Sequence, residues 1–135
     1  MKRQRRRQPR QAGVTLIEML VVVTIIALFA ALVGPKLFTN LDKSRVVAAR
    51  TQIKSLKAAL GTYKIDLGTF PTTEQGLQAV RPYLDGELPN DPWGHAYVYK
   101  FPGDHGDEPD IVSLGADGQP GGEGINADIV SWKNN

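Results

Sequence analysis

The 135-residue chain has no cysteine and only two histidines, His95 and His105. Missing thiols exclude a disulfide framework, a thiolate metal site and a cysteine nucleophile, and two histidines give little with which to build a zinc enzyme. Aromatic residues are scarce at 7%, and a chain of 135 residues holds one domain with one modest core. Acid is absent from the first 17 positions, where Lys2, Arg3, Arg5, Arg6, Arg7 and Arg10 supply six of the 16 basic residues. Beyond residue 13 the balance reverses, with 10 cations against 14 acids.

What the sequence does have is one long apolar run. A basic head in front of such a run reads either as a nucleic-acid arm or as the cytoplasmic flank of a membrane segment. Residues 14–33 read VTLIEMLVVVTIIALFAALV, with no charge from Met19 to Val33 and Thr24 the sole polar residue in that stretch. Twenty helical residues at ~1.5 Å each reach about 30 Å, the thickness of bilayer hydrocarbon. The segment is long enough to span, which places the basic head in the cytoplasm and everything after Gly34 across the membrane, with no nucleic-acid partner. A cleaved secretory signal needs a small-x-small site near the end of the run. Ala27-Leu28-Phe29-Ala30 has the wrong spacing and Leu32-Val33-Gly34 lacks the first small residue, so the helix is expected to stay attached. Glu18 is the anomaly, since a carboxylate within an apolar span costs about 2.5–3.5 kcal/mol on insertion scales. It either snorkels to the interface from the end of the segment or finds a cation outside its own helix.

Gly34-Pro35 is expected to kink or loosen the helix without ending it. Val46, Ala49, Ile53, Leu56, Leu60 and Tyr63 then follow at spacings of three and four, an apolar stripe with Arg50, Lys54, Lys57 and Lys64 on the other faces. One helix from about Thr15 to about Lys64 follows, its second half packed on a small domain. Thr72-Thr73-Glu74-Gln75 reads as a short helix start limited by Gly76, with Leu77, Val80 and Leu84 as apolar contacts. Residues 89–94 read as a turn. Strands are expected at Ala96–Phe101, with Tyr97, Tyr99 and Phe101 on one face, at Asp110–Leu114 and at Asp128–Trp132. A helix first and strands last predict an α+β fold, a long N-terminal helix on a small antiparallel sheet with a C-terminal loop.

That loop, Ser113 to Asp128, has five glycines among residues 115–124. It is either a flexible run with a tight Ala116-Asp117-Gly118 turn or a segment ordered by a hard cation, for which Asp117, Asn126 and Asp128 are suitable oxygen donors. The spacing is not that of an EF-hand. His95 and His105, near Asp104, Asp107 and Asp110, read as solvated loop charges, since no nucleophile with an orienting partner is apparent. Trp93 and Trp132 read as core or sheet-edge packing.

Gly13-Val14-Thr15-Leu16-Ile17-Glu18 behind a basic leader resembles the processing site of type IV pilin-like proteins. The resemblance implies a prepilin peptidase that cuts between Gly13 and Val14 and methylates the new N-terminus, with Val14 standing where that family usually has Phe. The α-amino group so created would meet Glu18 of a neighbouring subunit. Phe70-Pro71-Thr72-Thr73-Glu74-Gln75-Gly76-Leu77, Leu88-Pro89-Asn90-Asp91-Pro92-Trp93-Gly94 and Ser113-Leu114-Gly115-Ala116-Asp117-Gly118, with Ala127-Asp128-Ile129 and Trp132, resemble the major pseudopilins of bacterial type II secretion. Residues 81–87 are shorter than usual there, and Asn126-Ala127 stands where relatives often have another acid.

The resemblance implies a cleaved leader (1–13), a transmembrane and filament-core helix (14–34) and a periplasmic domain (35–135). It implies structural calcium on Asp117 and Asp128, on the carbonyls of Leu114 and Gln119 and on Asn126. It also implies no catalysis and a homopolymer that, with minor pseudopilins, an inner-membrane assembly platform and an outer-membrane secretin, moves folded exoproteins. A type IV pilin for adhesion or DNA uptake shares the N-terminal features, although such pilins commonly close their C-terminal loop with a disulfide. A membrane-tethered periplasmic enzyme is the reading from another class.

Overall fold

The computed structural model describes residues 13–133. Helix α1 spans Leu16–Leu67, and the strands are β1 (Val98–Lys100), β2 (Asp110–Ser113) and β3 (Ile129–Val130). Short 3-10 turns occupy Leu77–Tyr83 and Gly124–Asn126. The α+β expectation holds, and the helical assignment continues through Pro35. The chain divides into two units, Met1–Phe38 and Thr39–Asn135.

In the first unit, apolar side chains are exposed on every face. Leu20, Val21, Val22 and Val23 take four successive directions round the helix and are all exposed, as are Leu16, Leu28, Phe29 and Leu32. A helix apolar all round has no water-facing side and must be covered by lipid or protein. Among the described residues, α1 is the helix long and apolar enough to cross a membrane.

In the second unit the same helix is one-sided. Ala49, Ile53, Leu56, Ala59, Leu60 and Tyr63 are buried, with Val46 packed on the edge of the core, so the predicted stripe is the observed one. It meets Phe70, Leu77, Val80, Tyr97, Tyr99, Ile111 and Ile129. The sheet is an antiparallel meander in the order β1-β2-β3, with Val98 opposite Val112 and Val112 opposite Val130.

The strands are shorter than the alternation predicted, because side chains take over ladder positions. The Phe101 N–H donates to the Thr73 hydroxyl at 3.0 Å, which ends β1 at Lys100. Similarly, the Ile111 N–H donates to the Ser131 hydroxyl at 3.0 Å just beyond β3. Tyr97 and Tyr99 are nevertheless buried together, as the period-two pattern requires. The predicted helix at Thr72 is only a turn. The Gln75 N–H donates to the Thr72 hydroxyl at 3.3 Å, and the Gln75 side chain accepts the Thr72 N–H at 2.9 Å, so the capping signal is real. Gly76, at φ 60°, then redirects the chain. In the 81–87 segment, Tyr83 packs edge-on against Tyr63 at 5.9 Å and Arg81 pairs with Glu87 at 3.3 Å.

Candidate functional site

The N-terminal site starts with backbone chemistry. Gly13, Val14 and Thr15 precede α1 and are exposed, leaving the Gly13–Val14 peptide bond outside the helix. The Thr15 hydroxyl accepts the Glu18 N–H at 3.3 Å. Thr15 is therefore the N-cap and Glu18 the third helical residue, the spacing of a capping box. A carboxylate here is also favoured by the positive end of the helix dipole. Sequence reading missed the cap of Thr15, although Thr-x-x-Glu ahead of an apolar run is its usual signal.

The C-terminal site is organised by Asp91, a buried residue in the turn before β1. Its Oδ1 accepts the N–H groups of Trp93 at 3.1 Å and His95 at 2.8 Å, and its Oδ2 accepts the hydroxyl of Ser113 at 2.6 Å. The Gly115 N–H reaches Ser113 Oγ at 3.4 Å, and the His95 Nδ1–H donates to the Gly115 carbonyl at 3.1 Å. One buried carboxylate thus holds the start of the glycine loop. Gly115 has φ 65° and lies so close to Asn126 that a Cβ would sit 2.8 Å from its carbonyl oxygen. At Gly122 the same approach would be 2.4 Å. Only glycine admits this doubling back, which brings residues 115–116 and 121–122 against 125–128.

Of the predicted cation donors, Asp117 is exposed and its Oδ1 accepts the Gln119 N–H at 3.1 Å. Asp128 Oδ2 accepts the Gly121 N–H at 2.9 Å, whereas its Oδ1 is buried with no hydrogen-bond partner. A desolvated carboxylate oxygen without a donor is destabilising unless a cation or water meets it. Leu114 and Asn126 are half-buried and Gln119 is exposed. No group of three or more His, Cys, Asp or Glu able to hold a metal occurs among the described residues, so a cation here would draw on carbonyl and amide oxygens as well. The donor set, hard oxygens only, fits calcium and not a soft metal.

The loop histidines are partly solvated, as expected from sequence, but each also makes a fixed contact. His95 is the strut described above, and Gly118 packs against its ring. His105 donates from Nδ1 to buried Asp110 at 2.8 Å and stacks on Trp132 with ring centroids 3.7 Å apart. The His95 bond spans 20 residues, a separation that no local pattern reveals, whereas His105 and Asp110 are five residues apart. Trp132 packs at the sheet edge, as expected.

The family model for type II secretion system protein G matches residues 36–132, and that for the prokaryotic N-terminal methylation motif matches residues 8–34. The chain is 45% identical to the type II secretion system core protein G of Vibrio cholerae over 91% of its length and 92% of that protein's. It is 42% identical to that of Pseudomonas aeruginosa, over 92% of this chain and 96% of that one. The crystal structure of the major pseudopilin from the type 2 secretion system of enterohaemorrhagic Escherichia coli superposes with a TM-score of 0.60 at 35% identity, covering 69% of this chain and 87% of that one. With the protein G family model over residues 36–132, relatives more than 40% identical over most of both chains and a solved pseudopilin of matching fold, the chain belongs to the type II secretion system protein G family.

Proposed function

We propose that this chain is the subunit of a periplasmic pseudopilus, anchored first in the inner membrane by residues 14–34 and then stacked with its copies. The observation that carries this reading is the first half of α1, apolar and exposed on all sides with one acid in its first turn. Exchanging lipid for neighbouring helices keeps that surface covered at little hydrophobic cost. Cleavage between Gly13 and Val14 by a prepilin peptidase frees an α-amino group, which stays cationic when singly methylated. In the stack it neutralises Glu18 of a neighbour and sets the register between copies. A cytoplasmic head, a periplasmic domain and growth that pushes folded exoproteins through a secretin complete the reading. The polypeptide itself does no catalysis, and its histidines are committed to loop contacts.

Calcium belongs to the same proposal. Asp117 and Asp128, with the carbonyls of Leu114 and Gln119 and the side chain of Asn126, would hold it, and the orphaned Asp128 Oδ1 supports this. Bound there, it supplies the charge that joins the two carboxylates across the loop. Asp117→Ala is expected to lower the melting temperature in calcium and to leave it unchanged in chelator. About 2.7 kcal/mol is at stake at a hundredfold excess over Kd. An equal loss in chelator would remove calcium from the account.

Glu18→Ala tests the assembly reading. The variant is expected to be cleaved normally but to give at least about tenfold fewer sheared filaments when overproduced, the factor that loss of 1.4 kcal/mol per contact gives. A yield equal to that of the unchanged chain would contradict the pairing.

A further inference from the structure

Charge is segregated within the Thr39–Asn135 unit. From residue 43 to residue 64, α1 carries six cations and no acid, whereas residues 65–133 hold 12 acids and three cations. On the outer edge of β3, the last strand of the sheet, a groove of about 360 Å³ is lined by Arg50, Lys54, Lys57 and Lys133 around Ile53 and Ile129. Lys57 reaches Glu108 of its own chain at 2.8 Å. Lys54 and Lys133 are exposed and carry no ion pair among the described residues.

The opposite flank has the opposite sign. The turn Leu77–Tyr83 runs beside β1, with which Leu77 and Leu88 share a cleft near Tyr97 and Tyr99. Between Tyr83 and Leu88 the chain exposes Asp85 and Glu87. Asp85 carries no ion pair among the described residues, and the Glu87 carboxylate remains largely exposed beside Arg81. The sheet therefore presents a basic groove at the β3 edge and an acidic loop at the β1 flank.

Two unlike, complementary patches on opposite sides of one subunit make a heterologous contact, which grows into an open helix when its rotation does not close. A twofold dimer would need one patch that fits itself. We infer that the basic groove of one subunit docks the 85–87 loop of a second copy of this chain. The inference rests on the filament reading and adds to it the side-by-side contact between domains. Complementary charge of this kind fixes orientation and suppresses wrong registers more than it adds affinity.

The test uses the full chain overproduced with its secretion apparatus, with sheared filaments quantified. Lys54→Glu alone, and Asp85→Lys with Glu87→Lys, are each expected to lower the yield about tenfold, and all three changes together to restore it to within about twofold. Reversals that leave the yield unchanged, or a triple variant that stays low, would overturn the docking. In the latter case the groove serves a lipid or another anionic partner. A second measurement guards against variants that fail to fold. In this cysteine-free chain, Lys54→Cys with Asp85→Cys should give a ladder of multimers with a short bismaleimide. Filaments that form without the ladder would also sink the docking. If the unchanged chain gives no filaments, the polymer reading falls and the docking with it.

Discussion

The two halves of α1 continue one helical backbone and face opposite problems. Before residue 39, Leu, Val and Ile occupy every direction and all are exposed. After it, apolar residues are confined largely to one stripe, and Leu56 and Ala49 are completely buried. The polar and charged residues of the second half leave its apolar ones in a stripe, and a stripe can be satisfied within one chain whereas a fully apolar cylinder cannot. The first half needs partners, whereas the second is finished by its own domain.

The sharpest way to break this contrast is to truncate one leucine in each half. Leu56→Ala should destabilise the domain by about 2–5 kcal/mol in thermal unfolding of the detergent-held protein. Leu20→Ala should change that unfolding by less than about 0.5 kcal/mol, because its side chain is exposed there, yet it should reduce filament yield. Equal losses of stability from both would mean that the first half is buried within the subunit.

A smaller effect is expected where the domain anchors its loop. Asp91→Ala leaves two N–H groups and the Ser113 hydroxyl without their acceptor, and should cost about 1–3 kcal/mol in thermal unfolding. Loss of stability here without calcium would separate the buried carboxylate that positions the loop from the exposed Asp117, which is proposed to hold the cation.

The smallest effect is a surface pair at the edge of the basic groove. The Lys57 ammonium beside Glu108 holds its carboxyl below the ordinary 4.5 through a hydrogen bond and its charge. A depressed carboxylate pKa gives stability that is present above the unfolded value and lost as pH falls through the folded one. Because Glu108 is largely exposed, its replacement by Gln should cost no more than about 0.5 kcal/mol at pH 7. Melting curves at pH 7 and pH 3 should show that difference shrinking at the lower pH.

Most of the architecture was legible because it is periodic. The stripe from Val46 to Tyr63 and the pairing of Tyr97 with Tyr99 follow from spacings of three and four and of two. Strand ends were not legible, because Thr73 and Ser131 intercept N–H groups of residues 28 and 20 positions away. The same holds for His95, whose bond to Gly115 crosses 20 residues. The donors of the C-terminal loop could be named from residue type. The orphaned oxygen of Asp128 could not, since burial of a single atom depends on the whole domain.

Mass spectrometry of the protein isolated from actively exporting cells tests the central claim most directly. The account predicts a chain beginning at Val14 and carrying one added methyl group. A chain beginning at Met1, or beyond Pro35, would contradict it.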